Sequence, residues 1–257
     1  MSKPRVITIG ISGPSCSGKT TLALALQTLL PQTRVIHQDD FFKPDDQIPV
    51  DEVTGLANWD SPQALDFDKL NQDIMQARLD PVGYFTKKAQ AEKPKTMQNN
   101  HDGSDTLSSD DLEQLSTRAS LTEWNHSTLF IIVEGFLLFC DPNVSSNLDI
   151  KFFTMASKEV LKKRRESRQG YVTLQGYWVD PPDYFDQVVW PQFIQWQHHL
   201  LTEQEKKAYG VSMSVRPSDS LLDKNDLYRF NTDIESIKDI VAHSLDIIKQ
   251  WMGVEPI

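Results

Sequence analysis

Residues Gly13-Pro14-Ser15-Cys16-Ser17-Gly18-Lys19-Thr20 satisfy the spacing G-x-x-x-x-G-K-[ST] at every fixed position. Two glycines let the backbone curl so that successive N–H groups converge on phosphate oxygens, and the loop then runs into a helix N-terminus, itself an anion site. In such a loop Lys19 reaches the β and γ phosphates and the Thr20 hydroxyl ligates Mg²⁺. The flanks have the required character. Arg5 to Ile11 is a β-branched apolar run suited to a buried strand, and Thr21 to Leu30 is an Ala/Leu-rich stretch suited to a helix. Strand, loop and helix in this order predict an α/β fold with a parallel sheet and a bound nucleoside triphosphate.

The chain has 257 residues, enough for one sizeable α/β domain, and 1–257 reads as a single domain. Its formal charge of −10 argues against nucleic acid or an anionic membrane as a general partner, because a phosphate surface would be repelled at long range. An anionic ligand must therefore be met by a local basic cluster. Two cysteines, Cys16 and Cys140, make no disulfide framework, which suits a reducing compartment. No charged-then-apolar leader precedes the first strand and no apolar run approaches a membrane span, so the expectation is a cytoplasmic monomer, with the nucleus as the second choice of compartment.

Beyond the first helix, Arg34 to His37 is a short strand, and Gln38-Asp39-Asp40-Phe41-Phe42-Lys43-Pro44 follows it. Open parallel sheets form their ligand crevice just past strand carboxyl ends, so one of these acids could serve a bound hydroxyl; either could instead cap a turn. Trp59-Asp60 stands out in the loop that precedes a helix over about 66–78. An aromatic beside an acid can stack on a ring while the acid grips hydroxyls, or can anchor the loop to the core. Residues 87–125 lose apolar periodicity, with Lys87, Lys88, Lys93 and Lys95 ahead of Asp102, Asp105, Asp110, Asp111 and Glu113, and read as a flexible surface insertion carrying a short helix near 110–116.

Ser127 to Phe139 contains an apolar strand that ends in Glu134. An acid at that place in a phosphate-loop protein binds Mg²⁺ or its water, and burying it without partners would cost several kcal/mol. Asp149 to Met155 is a further strand, followed by a helix bearing Lys162-Lys163-Arg164-Arg165-Glu166-Ser167-Arg168. At helical spacing Arg164 and Arg168 share a face suited to one phosphate chain, while Arg165 points about 100° away. Residues 164–183, with Gly170, Tyr171, Gly176, Tyr177 and Trp178, read as a lid with exposed aromatics. Pro191 predicts a break in the next helix. The tail predicts a strand over 211–215 and a helix over about 233–251 with Ile234, Ile237, Ile240, Val241, Leu245 and Ile248 facing the core. His198 and His199 read as helix-surface residues, without a second ligand at metal spacing.

These segments together resemble the nicotinamide riboside kinases, nearest the fungal members, from Arg5 to about Pro191 apart from the insertion. The matching pieces are Gly-Ile-Ser-Gly with Ser-Gly-Lys-Thr-Thr, Gln-Asp-Asp-Phe-Phe-Lys-Pro, Glu-Gly-Phe-Leu-Leu-Phe, the Arg164-Arg165 helix, and Tyr184 to Pro191 with its Tyr-Phe-Asp and Val-Trp-Pro. The resemblance implies a five-stranded parallel sheet flanked by helices with a mobile lid, and transfer of the ATP γ-phosphoryl to the 5′-hydroxyl of nicotinamide riboside or nicotinic acid riboside. It implies that Gly13, Pro14, Ser15, Cys16, Ser17, Gly18, Lys19, Thr20 and Thr21, with Arg164 and Arg168, hold ATP. By the same resemblance, Asp39 takes the hydroxyl proton and joins Thr20 and Glu134 around Mg²⁺. Asp60 and Arg165 hold the ribose, Phe42 lines the pocket, and Trp59 and Tyr171 wall the nicotinamide, whose positive charge suits π faces. Other readings are a uridine–cytidine kinase of the same fold, or a nucleotide switch; against the switch, a guanine-reading N-K-x-D sequence is missing.

Overall fold

The computed structural model describes residues 5–90, 107–120, 128–211 and 227–253. In chain order the elements are β1 (Arg5–Ser12), α1 (Lys19–Leu29), β2 (Thr33–His37), α2 (Phe67–Leu79), α3 (Pro81–Gln90), α4 (Ser109–Ser120), β3 (Thr128–Gly135), α5 (Pro142–Ser146) and β4 (Ile150–Met155). There follow α6 (Lys158–Glu166), the two-residue strands β5 (Tyr171–Val172) and β6 (Tyr177–Trp178), α7 (Trp190–Gln197), α8 (Glu203–Ala208), β7 (Leu227–Asn231) and α9 (Ile237–Met252).

The main sheet has five strands in the order β2-β3-β1-β4-β7, all parallel. Parallel neighbours need crossovers, which lay helices on both faces and bury the strands on both sides. β3 is accordingly buried at every position. Its residues alternate between two apolar layers: Ile131 and Val133 pack with Leu70, Ile74, Phe153 and Phe185 on one face, and Phe130 and Ile132 with Leu22, Leu26, Leu245 and Ile248 on the other. All strand carboxyl ends share one edge, and the register there sets Ser12 beside Gly135 and His37 beside Glu134.

The expected five parallel strands are present, but the fifth is β7, not residues 211–215, of which only Val211 is described. β7 is an edge strand interrupted by Arg229, whose guanidinium pairs with Glu205, so its apolar signal is weak. His198 and His199 are buried rather than on the surface, each 7% exposed, in a tight turn after α7 where His198 Nδ1 lies 3.0 Å from Ile194 O. Ile234 is exposed because α9 begins only at Ile237, capped by the Ser236 side chain. The break expected at Pro191 takes the form of a π turn over Phe185–Val189 that leads into α7, a wider turn that accommodates a residue without an N–H.

Within the insertion the expected helix is present as α4, packed on α9 through Leu115 and Ala119 and through Asp111–Lys238 at 2.8 Å. Lys93, Lys95, Asp102 and Asp105 lie outside the described residues. Among the described residues no helix is long and apolar enough to cross a membrane.

Candidate active site

The loop between β1 and α1 is held by contacts that only its own residues can make. A Cβ on Gly13 would lie 2.0 Å from Thr154 O, and Gly13 has φ +150°, so no other residue fits there. Ser17 Oγ and Thr154 Oγ1 share a hydrogen bond of 2.7 Å that pins the loop to β4, and Gly18 enters α1 in the left-handed region. Lys19 is buried and folds back over the loop, donating to Pro14 O at 2.9 Å. Burial pulls its pKa down, against the opposing fields of Glu134 and Asp39.

Near Lys19 lie two acids, Glu134 buried and Asp39 half-buried. Glu134 Oε1 meets His37 Nδ1 at 2.7 Å, and its Oε2 accepts from Thr20 Oγ1 at 3.3 Å. Burial alone would raise the Glu134 pKa, but the His37 hydrogen bond and charge hold it below the usual range. Burial is the largest influence on His37 and lowers its pKa, but the hydrogen bond and charge of Glu134, with the charges of Asp40 and Asp39, together raise it. For Asp39, in the turn after β2, burial first and the charge of Glu134 second outweigh the opposing fields of Lys19 and His37 and push it up to about 6. Among the described residues no three His, Cys, Asp or Glu side chains form a metal cage. Mg²⁺ does not need one, since it takes one or two carboxylates and completes its shell with phosphates and water. The Thr20 hydroxyl and the mutually repelling carboxylates of Asp39 and Glu134 are a donor set that fits it.

Beside these groups a cavity of about 410 Å³ opens, lined by Lys19, Thr20, His37, Asp39, Phe42, Trp59, Asp60, Glu134, Phe136, Arg165, Arg168, Tyr171 and Trp178 among others. One end is aromatic. Phe42 meets Trp59 edge-on at 5.5 Å and stacks on Phe136 at 5.9 Å, while Trp178 lies 5.8 Å from Trp59. Beside the aromatic residues the lining is charged and buried: Arg165 and Asp60, 6% and 7% exposed, pair through Nη1–Oδ1 at 3.2 Å and Nη2–Oδ2 at 3.4 Å. Burial pushes the Asp60 carboxyl up against the pull of Arg165, and the two carboxylates around Arg165 keep its guanidinium charged. Tyr184, fully buried, donates to Ala57 O at 2.8 Å and accepts from Trp59 N at 3.2 Å, which fixes the loop carrying Trp59 and Asp60.

The stretch expected to be a lid loop contains a small hairpin, β5 with β6. Tyr171 lines the cavity, but Arg165 and Arg168 already lie over its ring at 5.0 and 5.6 Å. The shared helical face expected for Arg164 and Arg168 is not formed, because α6 ends at Glu166. Arg168 lines the cavity. Arg164 instead donates from Nη1 to Cys16 O and Thr232 Oγ1, at 3.3 and 3.0 Å, and from Nη2 to Thr232 O at 3.1 Å. Thr21, the third residue of α1, is not among the cavity-lining residues. His37, Phe136 and Trp178 line the cavity, and Asp180 and Tyr184 stand behind its lining residues; none of the five is among the site residues expected from the sequence. Phe136, directly after the Glu134-Gly135 pair, had a local signal; the others come together only by folding.

A phosphate loop with its lysine facing two acids, at the carboxyl edge of a five-stranded parallel sheet and opening into a cavity with polar and aromatic walls, defines a P-loop small-molecule kinase. The chain is 38% identical over 196 residues to the nicotinamide riboside kinase of Saccharomyces cerevisiae, covering 75% of this chain and 78% of that one. It is 31% identical over 199 residues to the Schizosaccharomyces pombe nicotinamide riboside kinase, covering 76% and 81%, and 31% identical over 221 residues to human nicotinamide riboside kinase 2, covering 86% and 77%. The chain belongs to the nicotinamide riboside kinase family. No protein-family model matches it. A solved thymidylate kinase from Candida albicans aligns over 97% of this chain and 93% of that one, at 14% identity and a TM-score of 0.40, a likeness too slight to bear on the argument.

Proposed function

We propose that this chain transfers the γ-phosphoryl group of ATP to the 5′-hydroxyl of nicotinamide riboside, and also of nicotinic acid riboside, giving the mononucleotide used to make NAD. The observation that supports this reading is that Asp39 lines one cavity together with Lys19, the Asp60–Arg165 pair and the aromatic residues. Ribose hydroxyls have a partner in the Asp60–Arg165 pair, a cationic ring has π faces in Phe42, Trp59, Phe136 and Trp178, and the 5′-hydroxyl is then directed to Asp39.

Phosphoryl transfer asks for positioning and charge neutralisation more than covalent help. Asp39 accepts the proton of the 5′-hydroxyl as its oxygen bonds to the γ-phosphorus and the bond to the departing ADP oxygen breaks. The N–H groups of Gly13 to Thr20, the ammonium of Lys19 and the guanidinium of Arg168 hold and neutralise the phosphates, while Arg164 supports the loop through Cys16 O. Bound through Thr20, Asp39 and Glu134, Mg²⁺ would supply further neutralisation of phosphate charge. Tyr171, its face covered by two arginines, acts on the ring site through its edge and through Arg165.

ADP release with nicotinamide riboside, nicotinic acid riboside, uridine, cytidine and pantothenate tests the reading. Turnover with both pyridine ribosides, and nucleotide turnover that starts only on adding acceptor, is expected. Activity on uridine with none on either pyridine riboside would reject it in favour of a uridine–cytidine kinase.

A further inference from the structure

Arg165 is a fork held from two sides. Its Nη1 and Nη2 face Asp60, and its Nε and Nη2 donate to Asp180 Oδ2 and Oδ1 at 2.7 and 3.1 Å. The same Oδ1 accepts from the indole Nε1 of Trp178 at 2.8 Å. Trp178 lines the acceptor cavity, in contact with Trp59 and with Tyr184, whereas Asp180 is not among the residues lining that cavity. One carboxylate therefore fixes both the guanidinium that addresses the sugar end and an aromatic wall at the ring end.

We infer that Asp180 is a positioning residue for the acceptor, tying the Asp60–Arg165 sugar grip to the Trp178 wall so that the two ends of the cavity are set together; this rests on the kinase reading above. A guanidinium with only one carboxylate partner can rotate about its long side chain, and Asp180 supplies the second, bidentate anchor that leaves Nη1 directed at Asp60. The indole N–H of the half-buried Trp178 has this acceptor only while the ring stands at the wall position. The hairpin has an independent tie at its tip, where Thr173 Oγ1 donates to Asp45 Oδ2 at 2.7 Å, so loss of Asp180 loosens the acceptor end without releasing the lid altogether. The donor side shares none of these hydrogen bonds: Lys19 bonds to the phosphate loop, and Arg164 to Cys16 and Thr232.

The test is steady-state ADP release by the full chain with nicotinamide riboside, for the wild type, Asp180→Ala, Trp178→Phe and the double variant. Asp180→Ala is expected to raise KM for the riboside about tenfold, with KM for ATP within about twofold and kcat within about threefold of wild type. Trp178→Phe keeps a ring but loses the donor and is expected to raise the riboside KM about threefold; the double variant should be no worse than Asp180→Ala, because the indole has already lost its acceptor. Should Asp180→Ala melt before assay, Asp180→Asn, which keeps the volume, carries the same expectation for the two KM values. An unchanged riboside KM, an equal rise in both KM values, or fully additive variants would overturn the inference. Whether the wild type turns over a pyridine riboside at all tests the earlier reading; if uridine proves to be the acceptor, the same split is read with uridine.

Discussion

His37 Nδ1 lies 2.7 Å from Glu134 Oε1 where β2 and β3 run in register, and this contact leaves Oε2 of Glu134 turned to the Thr20 hydroxyl. The histidine thus orients a carboxylate that would otherwise be free to rotate in a buried site. Partners of this kind behind metal-binding carboxylates are worth about 10–100-fold in metal affinity. For His37→Ala the Mg²⁺ concentration giving half-maximal rate is expected to rise at least about tenfold, with KM for the riboside little changed. A Mg²⁺ titration of the initial rate at saturating ATP measures it, and an unaltered midpoint would remove His37 from this role.

Lys19 is buried, so its charge acts through little water on whatever the loop holds. Lys19→Ala is expected to lower kcat by about 10³-fold or more, while the circular dichroism spectrum stays that of the wild type. Turnover near normal in a folded variant would show that the phosphates are neutralised elsewhere.

Asp39 gives a prediction with a sign. The folded chain holds its proton more tightly than the unfolded chain, whose carboxyl titrates near 3.8, so this group costs stability as pH rises from 3.8 through about 6. Asp39→Asn removes that cost together with the base. The variant is expected to be inactive yet more stable than wild type by roughly 1–3 kcal/mol at pH 8, the difference vanishing toward pH 4. Urea melts of the metal-free proteins at both pH values decide it; a variant less stable at pH 8 would contradict the environment assigned to Asp39.

The phosphate loop, Asp39 and Glu134 were legible in the sequence because each is a local pattern at a strand end, where the fold puts its crevice. β7 was not, since Arg229 interrupts a half-exposed edge strand and its partner Glu205 comes from another element. The i,i+4 argument for Arg164 and Arg168 assumed a helix that ends at Glu166, two residues too soon. The burial of His198 and His199 in a turn, and the meeting of Trp178, Asp180 and Tyr184 around Arg165, depend on where distant segments pack. No spacing rule carries that information.

Trp59 stands in the aromatic end beside Phe42 and Trp178. A pyridinium ring gains cation–π attraction there that an uncharged ring does not, worth about 0.5–2 kcal/mol. Trp59→Leu should therefore raise KM for nicotinamide riboside by roughly 3–30-fold and raise KM for its uncharged 1,4-dihydro form by less. Equal losses for the two ribosides would reduce Trp59 to a shape contact.

Tyr184 joins the β5–β6 hairpin to the loop that carries Trp59 and Asp60. Its hydroxyl bridges Ala57 O and Trp59 N with the ring fully buried, and the ring also packs edge-on against Trp178 at 5.5 Å. Burial drives its pKa upward, so the hydroxyl stays a neutral donor throughout the working pH range. Tyr184→Phe keeps the packing but leaves the partly buried Ala57 carbonyl and Trp59 N–H short of one partner each, which costs about 0.5–1.5 kcal/mol per bond. Because the freed backbone belongs to the Trp59-Asp60 loop, the loss should appear in acceptor binding as well as stability: a lower melting temperature together with a riboside KM raised by about 3–10-fold at an unchanged KM for ATP. A fall in melting temperature with both KM values untouched would mean that the loop holds its place without this hydroxyl, and that Tyr184 serves the core alone.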